Sequence, residues 1–311
     1  MTERQNQFKK CLREFPKQAR DIMQTIPRQG GRLFAQQCNE LIQKLGIDLE
    51  EFMTRLLPLA KIYAVAPVSR FHVGAIALAG VRGDADQVDL YLGANVEFMH
   101  ETLNNSIHAE QSATMHAWHR GAQNLLAVAV SAPPCGHCRQ FLYEFENPAA
   151  VMIITPDREN KTCRKTPLSD LLPQAFDPAA LGNRKALMAA FIPDRRLKLK
   201  AAVKDPIVAE ALLAAERSYA PYSQNFAGCA LQTGTGEIYS GRYVESAAYN
   251  PSLTPFQSAI ICMHMATIEE SRSIHRAVLV EKPTAIRQRN AVELLLESWA
   301  PGVELEYYQI E

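Results

Sequence analysis

The chain repeats itself, and this constrains its fold more than any other feature of the sequence. Ala66-Pro67-Val68-Ser69 returns as Ala220-Pro221-Tyr222-Ser223, and Gly74-Ala75 returns as Gly228-Cys229 at the same separation. The order then holds. Gly93-Ala94-Asn95-Val96-Glu97 is answered by Gly241-Arg242-Tyr243-Val244-Glu245, Gln111-Ser112-Ala113 by Gln257-Ser258-Ala259, and Ala127-Val128-Ala129-Val130 by Ala277-Val278-Leu279-Val280. Ordered matches with little drift in offset indicate duplication, so one architecture has to be built twice. With 311 residues the chain is long enough for two units, at ~150 residues each.

Short apolar runs punctuated by glycine and proline, such as Leu125 to Val130, alternate with helix-forming stretches such as Ser106 to Trp118. That alternation predicts an α/β layer fold. Residues 1–55 show helical spacing and no strand signal, with Phe34, Cys38, Leu41, Ile42 and Leu45 recurring every three or four positions; they read as a helical cap. Residues 148–206 hold seven of the 18 prolines and mark a connector with a short helix or two. The expected division is a cap over 1–55, a first unit over 56–155, a Pro-rich linker over 156–205 and a second unit over 206–311.

The 33 Lys and Arg cancel the 33 Asp and Glu, so the charge balance advertises neither a nucleic-acid nor an anionic-membrane surface, and a small-molecule partner is expected. No window reaches the ~18 uninterrupted apolar residues of a membrane-spanning helix, and the start has no apolar signal core, so an unexported, cytoplasmic protein is expected. The seven cysteines are odd in number and widely spread, unlike a secreted disulfide framework. One pair is close: Cys135-Gly136-His137-Cys138.

His108-Ala109-Glu110 opens a predicted helix, with Asn105 or Ser106 as its expected N-cap, and Cys135 opens another behind Pro133-Pro134. When the Gln-Ser-Ala triplets are aligned, His108 and Glu110 face Thr254 and Phe256, and when the Ala127 and Ala277 runs are aligned, the Cys135/Cys138 region faces Ala285 and Gln288. The second copy therefore lacks the metal-binding residues, which predicts one active centre per chain. Two thiolates and a neutral imidazole balance the charge of Zn²⁺, and three protein ligands leave the fourth tetrahedral position for water. Zinc brings such a water's pKa to about 7. Glu110, two residues from His108, is placed for general acid and base work. On these residues alone two other readings stand: a CxxC dithiol in redox exchange, and structural zinc with His137, His72 or Cys163 as a fourth ligand.

His108-Ala109-Glu110 followed by Pro134-Cys135-x-x-Cys138 resembles the signature of the zinc deaminases. Phe71-His72-Val73-Gly74-Ala75, the segment Gly93–Phe98, the stretch Leu168–Phe176 and Glu245-Ser246-Ala247-Ala248-Tyr249-Asn250-Pro251 are similar to the long-chain, homodimeric bacterial cytidine deaminases. The likeness covers nearly all of the chain beyond residue 55. It implies duplicated three-layer α/β/α units, one active and one degenerate, behind an N-terminal helical segment. It also implies hydrolysis of cytidine and 2′-deoxycytidine to uridine and 2′-deoxyuridine with release of ammonia, in pyrimidine salvage.

By the same resemblance His108, Cys135 and Cys138 hold one Zn²⁺ per subunit, and Glu110 shuttles protons through N3 to the departing amine. The Ala109 N–H meets the pyrimidine O2, the segment Asn95-Val96-Glu97 binds ribose hydroxyls through Asn95 and Glu97, and Phe71 packs on the base. The Pro133 carbonyl meets the amine, and Ala248 and Tyr249 reach the partner subunit's substrate. A carboxylate beside the sugar favours a neutral nucleoside over a nucleotide or nucleic acid. Deaminases of another base or of a nucleotide are the nearest competing reading, with the redox protein and a silent zinc scaffold beyond them. Two features depart from the pattern: Pro133 replaces a frequent threonine, and residues 81–91 lengthen a loop between two strands, expected as a hairpin extension.

Overall fold

The computed structural model describes residues 2–81, 83–157, 159–160, 162–189, 195–268 and 273–311, of which 84–86 are described by their backbone. Four helices open the chain: α1 (Glu3–Leu12), α2 (Lys17–Met23), α3 (Ala35–Leu45) and α4 (Leu49–Lys61), with the two-residue strand β1 (Arg32–Leu33) before α3. Thr2 caps α1 by accepting from Gln5 N, and Asp48 caps α4 by accepting from Glu51 N. Strand β1 corrects the expectation of a strand-free N-terminus. It is too short to carry a periodic pattern and is held by the ion pair of Arg32 with the buried Asp89. Helix α4 runs across position 55, where the cap was expected to end.

The first unit continues as β2 (Gly74–Val81), β3 (Asp84–Ala94), α5 (Ala109–His119), β4 (Gln123–Val130), α6 (Gly136–Leu142) and β5 (Met152–Asp157). Strand β6 (Thr162–Pro167) and the short α7 (Leu168–Leu171) follow, within the stretch expected as linker. The second unit is α8 (Pro206–Glu216), β7 (Ala227–Thr233), β8 (Ile238–Arg242), α9 (Pro255–Met265), β9 (Ile274–Glu281), α10 (Arg289–Trp299) and β10 (Leu305–Gln309). The lengthened 81–91 segment is the β2–β3 hairpin itself, apart from Arg82, which lies outside the described residues.

The two sheets run β1-β3-β2-β4-β5-β6 and β8-β7-β9-β10. In the first, β2 pairs antiparallel with β3 and β4, and β4 pairs parallel with β5; in the second, β7 pairs antiparallel with β8 and β9, and β9 pairs parallel with β10. The repeat read from the sequence is thus a repeat of topology. Glycines show why those positions recur. A Cβ on Gly93 would lie 2.1 Å from Ala113 N, and one on Gly241 would lie 2.0 Å from Ala259 N. On the neighbouring pleat, a Cβ on Gly74 would lie 2.7 Å from the α4 backbone and one on Gly228 2.3 Å from that of α8. Adjacent residues of a strand face opposite sides of the sheet, and Gly93 pairs with Ala75, beside Gly74. Helices α4 and α5 therefore cover opposite faces of the first sheet, as α8 and α9 cover those of the second, which makes each unit a three-layer α/β/α sandwich.

Helix α5 is buried on every side from Ala109 to Ala117 because it lies between its own sheet and α9. One hydrophobic cluster runs through this contact, joining Ala113, Met115 and Ala117 to Phe256, Ile260 and Met263. Full burial obliges each polar group on α5 to find a partner, and this singles out the site.

Candidate metal centre

Four buried polar side chains of α5 find backbone partners. Gln111 donates to the Pro251 carbonyl at 2.9 Å, Ser112 accepts from Ala94 N at 3.2 Å, Thr114 donates to the Glu110 carbonyl at 2.8 Å, and His116 Nδ1 lies 2.8 Å from the Leu92 carbonyl. Glu110 is different: its buried carboxyl lies against the sulfur of Cys138, near enough to raise that thiol. A carboxyl in the interior beside a cysteine is poor packing and good chemistry.

The sequence places that cysteine where it does by two helix starts. Helix α5 begins at Ala109 with His108 as N-cap, not Asn105 or Ser106; Gln111 accepts from the His108 N–H at 3.2 Å and so holds the turn, while 103–105 form a separate 3₁₀ turn. Helix α6 begins at Gly136 with Cys135 as N-cap. Arg139 fixes the entry by donating to the carbonyls of Pro134 at 2.9 Å and Leu171 at 2.8 Å. Gln140 and Tyr143 donate to the carbonyls of Phe176 (2.6 Å) and Leu172 (3.2 Å), so the stretch after β6 buttresses α6.

His108, Cys135 and Cys138 bring a ring nitrogen and two sulfurs within 4.8 Å of one another, the one such metal-competent group among the described residues. His108 Nδ1 is 3.4 Å from Cys135 Sγ. His137 stacks on the His108 ring with centroids 4.8 Å apart and lies outside the group, as do His72 and Cys163. A hydrogen bond from Cys138 and a second from His108 outweigh burial and bring Cys135 down to about 3. The same bond to Cys135, with burial and the Glu110 charge, raises Cys138 far above an ordinary thiol, and the bond to Cys135 raises His108. Burial raises Glu110 above the ordinary carboxylate range. The protons shared among these atoms are those a soft divalent cation displaces on binding a Cys₂His set. Donor set, compactness and the adjoining carboxyl fit zinc with an open fourth position.

The flanking residues form one connected segment. Asn95 accepts from Val73 N at 2.8 Å and donates to the Phe71 carbonyl at 2.9 Å. The buried Glu97 accepts from Val68 N (2.9 Å), Ser69 N (3.0 Å) and the Ser69 hydroxyl, which in turn accepts from Phe71 N. Burial pushes Glu97 up, but these donors outweigh it and hold the carboxylate below its usual range. Asn95 and Glu97 thus suspend the strap that carries Phe71, whose ring is 61% exposed. Val96 is buried between them, its N–H and carbonyl both bonded to Ile107. Ala109 is buried at the first position of α5, where an N–H has no intrahelical acceptor. Pro133 is exposed before the buried Pro134. Tyr249 is not brought to this group. It is 66% exposed and lines a cavity of about 1120 Å³ with Trp118, Tyr222 and Arg242. Its neighbour Ala248 is half-buried.

Sequence reasoning missed the clamps. Ser69, Arg139 and Gln111 are ordinary polar residues in ordinary places. The available signal was the repeat: Glu245 accepts from Tyr222 N, Ser223 N and the Ser223 hydroxyl as Glu97 does from Val68 and Ser69.

Residues 46–155 match the family model described as the zinc-binding region of cytidine and deoxycytidylate deaminases, and residues 168–293 match a second model of the same description. A cytidine deaminase of Sodalis glossinidius is 44% identical over 82% of both chains, and one of Aliivibrio fischeri is 37% identical over 99% of both. Among solved structures, a cytidine deaminase of Mycobacterium tuberculosis is 34% identical over 38% of this chain and 88% of its own, with a TM-score of 0.30.

Proposed function

This chain belongs to the zinc-binding cytidine deaminase family, and from that premise we propose that it hydrolyses cytidine and 2′-deoxycytidine to uridine and 2′-deoxyuridine with release of ammonia. The observation that carries the reading is the buried Glu110 carboxyl beside the compact group of His108, Cys135 and Cys138. The family matches and the upstream His-Ala-Glu leave the dithiol redox reading unfavoured.

His108, Cys135 and Cys138 hold the zinc, which when bound supplies the Lewis acidity that makes water an effective nucleophile near neutral pH. Glu110 takes a proton from the attacking water, passes it to ring N3 and returns a proton to the leaving amine. Burial, which lifts its pKa, suits a group that must accept and return protons near neutrality. The free Ala109 N–H binds the pyrimidine O2, and the Pro133 carbonyl receives the amine. Phe71 closes on the base. Asn95 and Glu97 turn their remaining hydrogen-bonding capacity to the ribose hydroxyls, with Val96 fixing their spacing. A depressed carboxylate at the sugar favours nucleoside over nucleotide.

The protein works as a homodimer in the cytoplasm, in pyrimidine salvage, with the first unit catalytic and the second giving Ala248 and Tyr249 to the partner's site. Val68, Phe71, Met99 and Leu103, around the strap and the segment after it, are exposed apolar residues that a second copy would cover. All seven cysteines are free. No described helix is long and apolar enough to cross a membrane.

Metal analysis of the purified protein, with the ultraviolet change on incubation with cytidine, tests the proposal. One zinc per chain with conversion of cytidine and deoxycytidine is expected. Stoichiometric zinc without conversion of either nucleoside overturns it.

A further inference from the structure

Glu144 follows α6, the helix whose first turn carries Cys135 and Cys138, and it is fully buried. Its side-chain hydrogen bonds leave the first unit. One carboxylate oxygen accepts from the Ala247 N–H, and the other accepts from the hydroxyls of Tyr219 at 3.1 Å and Tyr222 at 2.9 Å. Its backbone carbonyl accepts from Leu187 N at 2.7 Å, beside the bridge between Phe145 and Leu187. The Tyr219 hydroxyl shares its one proton between Glu144 and the Lys185 carbonyl, 2.9 Å away, and accepts from the Asn183 amide at 3.0 Å. One buried carboxyl therefore ties together the far end of the metal-bearing helix, the connector near 183–187 and the second unit at Ala247.

The residues after Ala247 are built to present a side chain outward. Tyr249 N donates to the Ser246 carbonyl at 2.9 Å, Ser252 N to the Tyr249 carbonyl at 2.9 Å, and Ser246 N to the Ser252 hydroxyl at 3.0 Å. Within this turn Tyr249 takes φ +61°, a conformation uncommon for a bulky residue, yet its ring is 66% exposed. A hydrogen-bonded, left-handed backbone that leaves an aromatic residue largely exposed is a constraint with no buried contact to offset it.

We propose that Glu144 is a positioning residue for the partner subunit's active site: by fixing the Ala247 backbone it sets the pose of Ala248 and Tyr249 against the nucleoside bound by a second copy. The proposal rests on the homodimer reading above. It also makes the links physical: from Cys135 and Cys138 through α6 to Glu144, and from there to the turn that serves the other centre.

Mixed dimers separate this from a purely structural role. In the first, one protomer carries Glu110→Gln with Glu144→Ala and the other is wild type, so the live centre is completed by the altered turn. In the second, Glu144→Ala is moved to the live protomer, whose centre is then completed by an unaltered turn. The first dimer is expected to show a KM for cytidine raised about tenfold or more over a dimer carrying Glu110→Gln alone, with zinc content unchanged; the second should match that control. Glu144→Gln, which keeps an acceptor for the Ala247 N–H, should restore part of the loss and guards against a misfolded alanine variant. Equal KM in the two dimers, or loss confined to the second, overturns the proposal. Tyr249→Ala on the inactive protomer tests the underlying reading by itself. If it raises KM while Glu144→Ala does not, Glu144 has no positioning role and the shared site stands; if neither matters, both fail.

Discussion

Gln111 and Gln257 answer each other across the two units. The Gln111 amide donates to the Pro251 carbonyl at 2.9 Å, and the Gln257 amide donates to the Asn105 carbonyl at 2.7 Å. The two glutamines are equivalent in the repeat, and Asn105 and Pro251 are separated by the same offset, so α5 and α9 meet about a local two-fold axis. Each amide works at both ends. Gln111 accepts from the His108 N–H as it donates to Pro251, and Gln257 accepts from Thr254 N at 2.8 Å. The second unit therefore holds the backbone of a proposed zinc ligand, which gives a physical reason for a chain with one proposed centre to keep two units.

Replacing Gln111 by Leu removes both bonds and leaves the buried Pro251 carbonyl unpaired. A loss of about 1–3 kcal/mol is expected, read as a lower urea midpoint. Gln257→Leu should cost a similar amount, but only Gln111→Leu should weaken zinc retention in a chelator competition.

If His108, Cys135 and Cys138 are the ligands as proposed, Glu110→Gln should keep stoichiometric zinc and lose turnover by ~10²–10⁴-fold, the usual worth of positioned proton transfer. Burial holds Glu110 in a costly place, so the variant should melt no lower than the parent. Near-normal turnover would remove Glu110 from the mechanism. Cys135→Ser, in contrast, should lose the metal.

Legibility in the sequence followed the strength of local constraint. Gly93 and Gly241 recur because no Cβ fits against α5 or α9, and His108, Cys135 and Cys138 stand out because soft-metal chemistry admits few residue types. Asn105 and Ser106 are better intrinsic caps than histidine, yet His108 caps α5, because its bond to Gln111 overrides that preference. Strand β6 was hidden by its flanking prolines and polar alternation. Glu144 was invisible for another reason: its partners Tyr219 and Ala247 lie 75 and 103 residues away, and no local pattern announces such a bond.

Glu97 gives the fold an acid-sensitive joint. Its folded pKa is lowered, so between that value and the ordinary glutamate value of ~4.3 the native chain binds fewer protons than the unfolded one. Its contribution is present above that window and is lost as pH falls through it. Urea unfolding from pH 7 to pH 3 should show a shallower acid decline for Glu97→Gln than for the parent. Because Glu97 also suspends the Phe71 strap, the variant should raise KM for cytidine at neutral pH. A parallel decline in both proteins would show that the carboxylate is not held ionised by its donors.

Gly93→Ala and Gly241→Ala are matched insults to the two units. Each new Cβ would meet helix backbone, at 2.1 Å from Ala113 N or 2.0 Å from Ala259 N, and backbone cannot swing aside as a side chain can. Overpacking of this kind costs about 1–3 kcal/mol or more, so both variants should melt well below the parent. Their metal chemistry should differ. Relief at Gly93 requires α5 to lift from its sheet, which moves His108 and Glu110 relative to Cys135 and Cys138, whereas relief at Gly241 moves α9, which carries no ligand. Zinc per folded chain should therefore fall for Gly93→Ala and stay near one for Gly241→Ala. Equal zinc loss in both would mean that the units move as a single rigid body, with the α5–α9 contact transmitting the whole displacement.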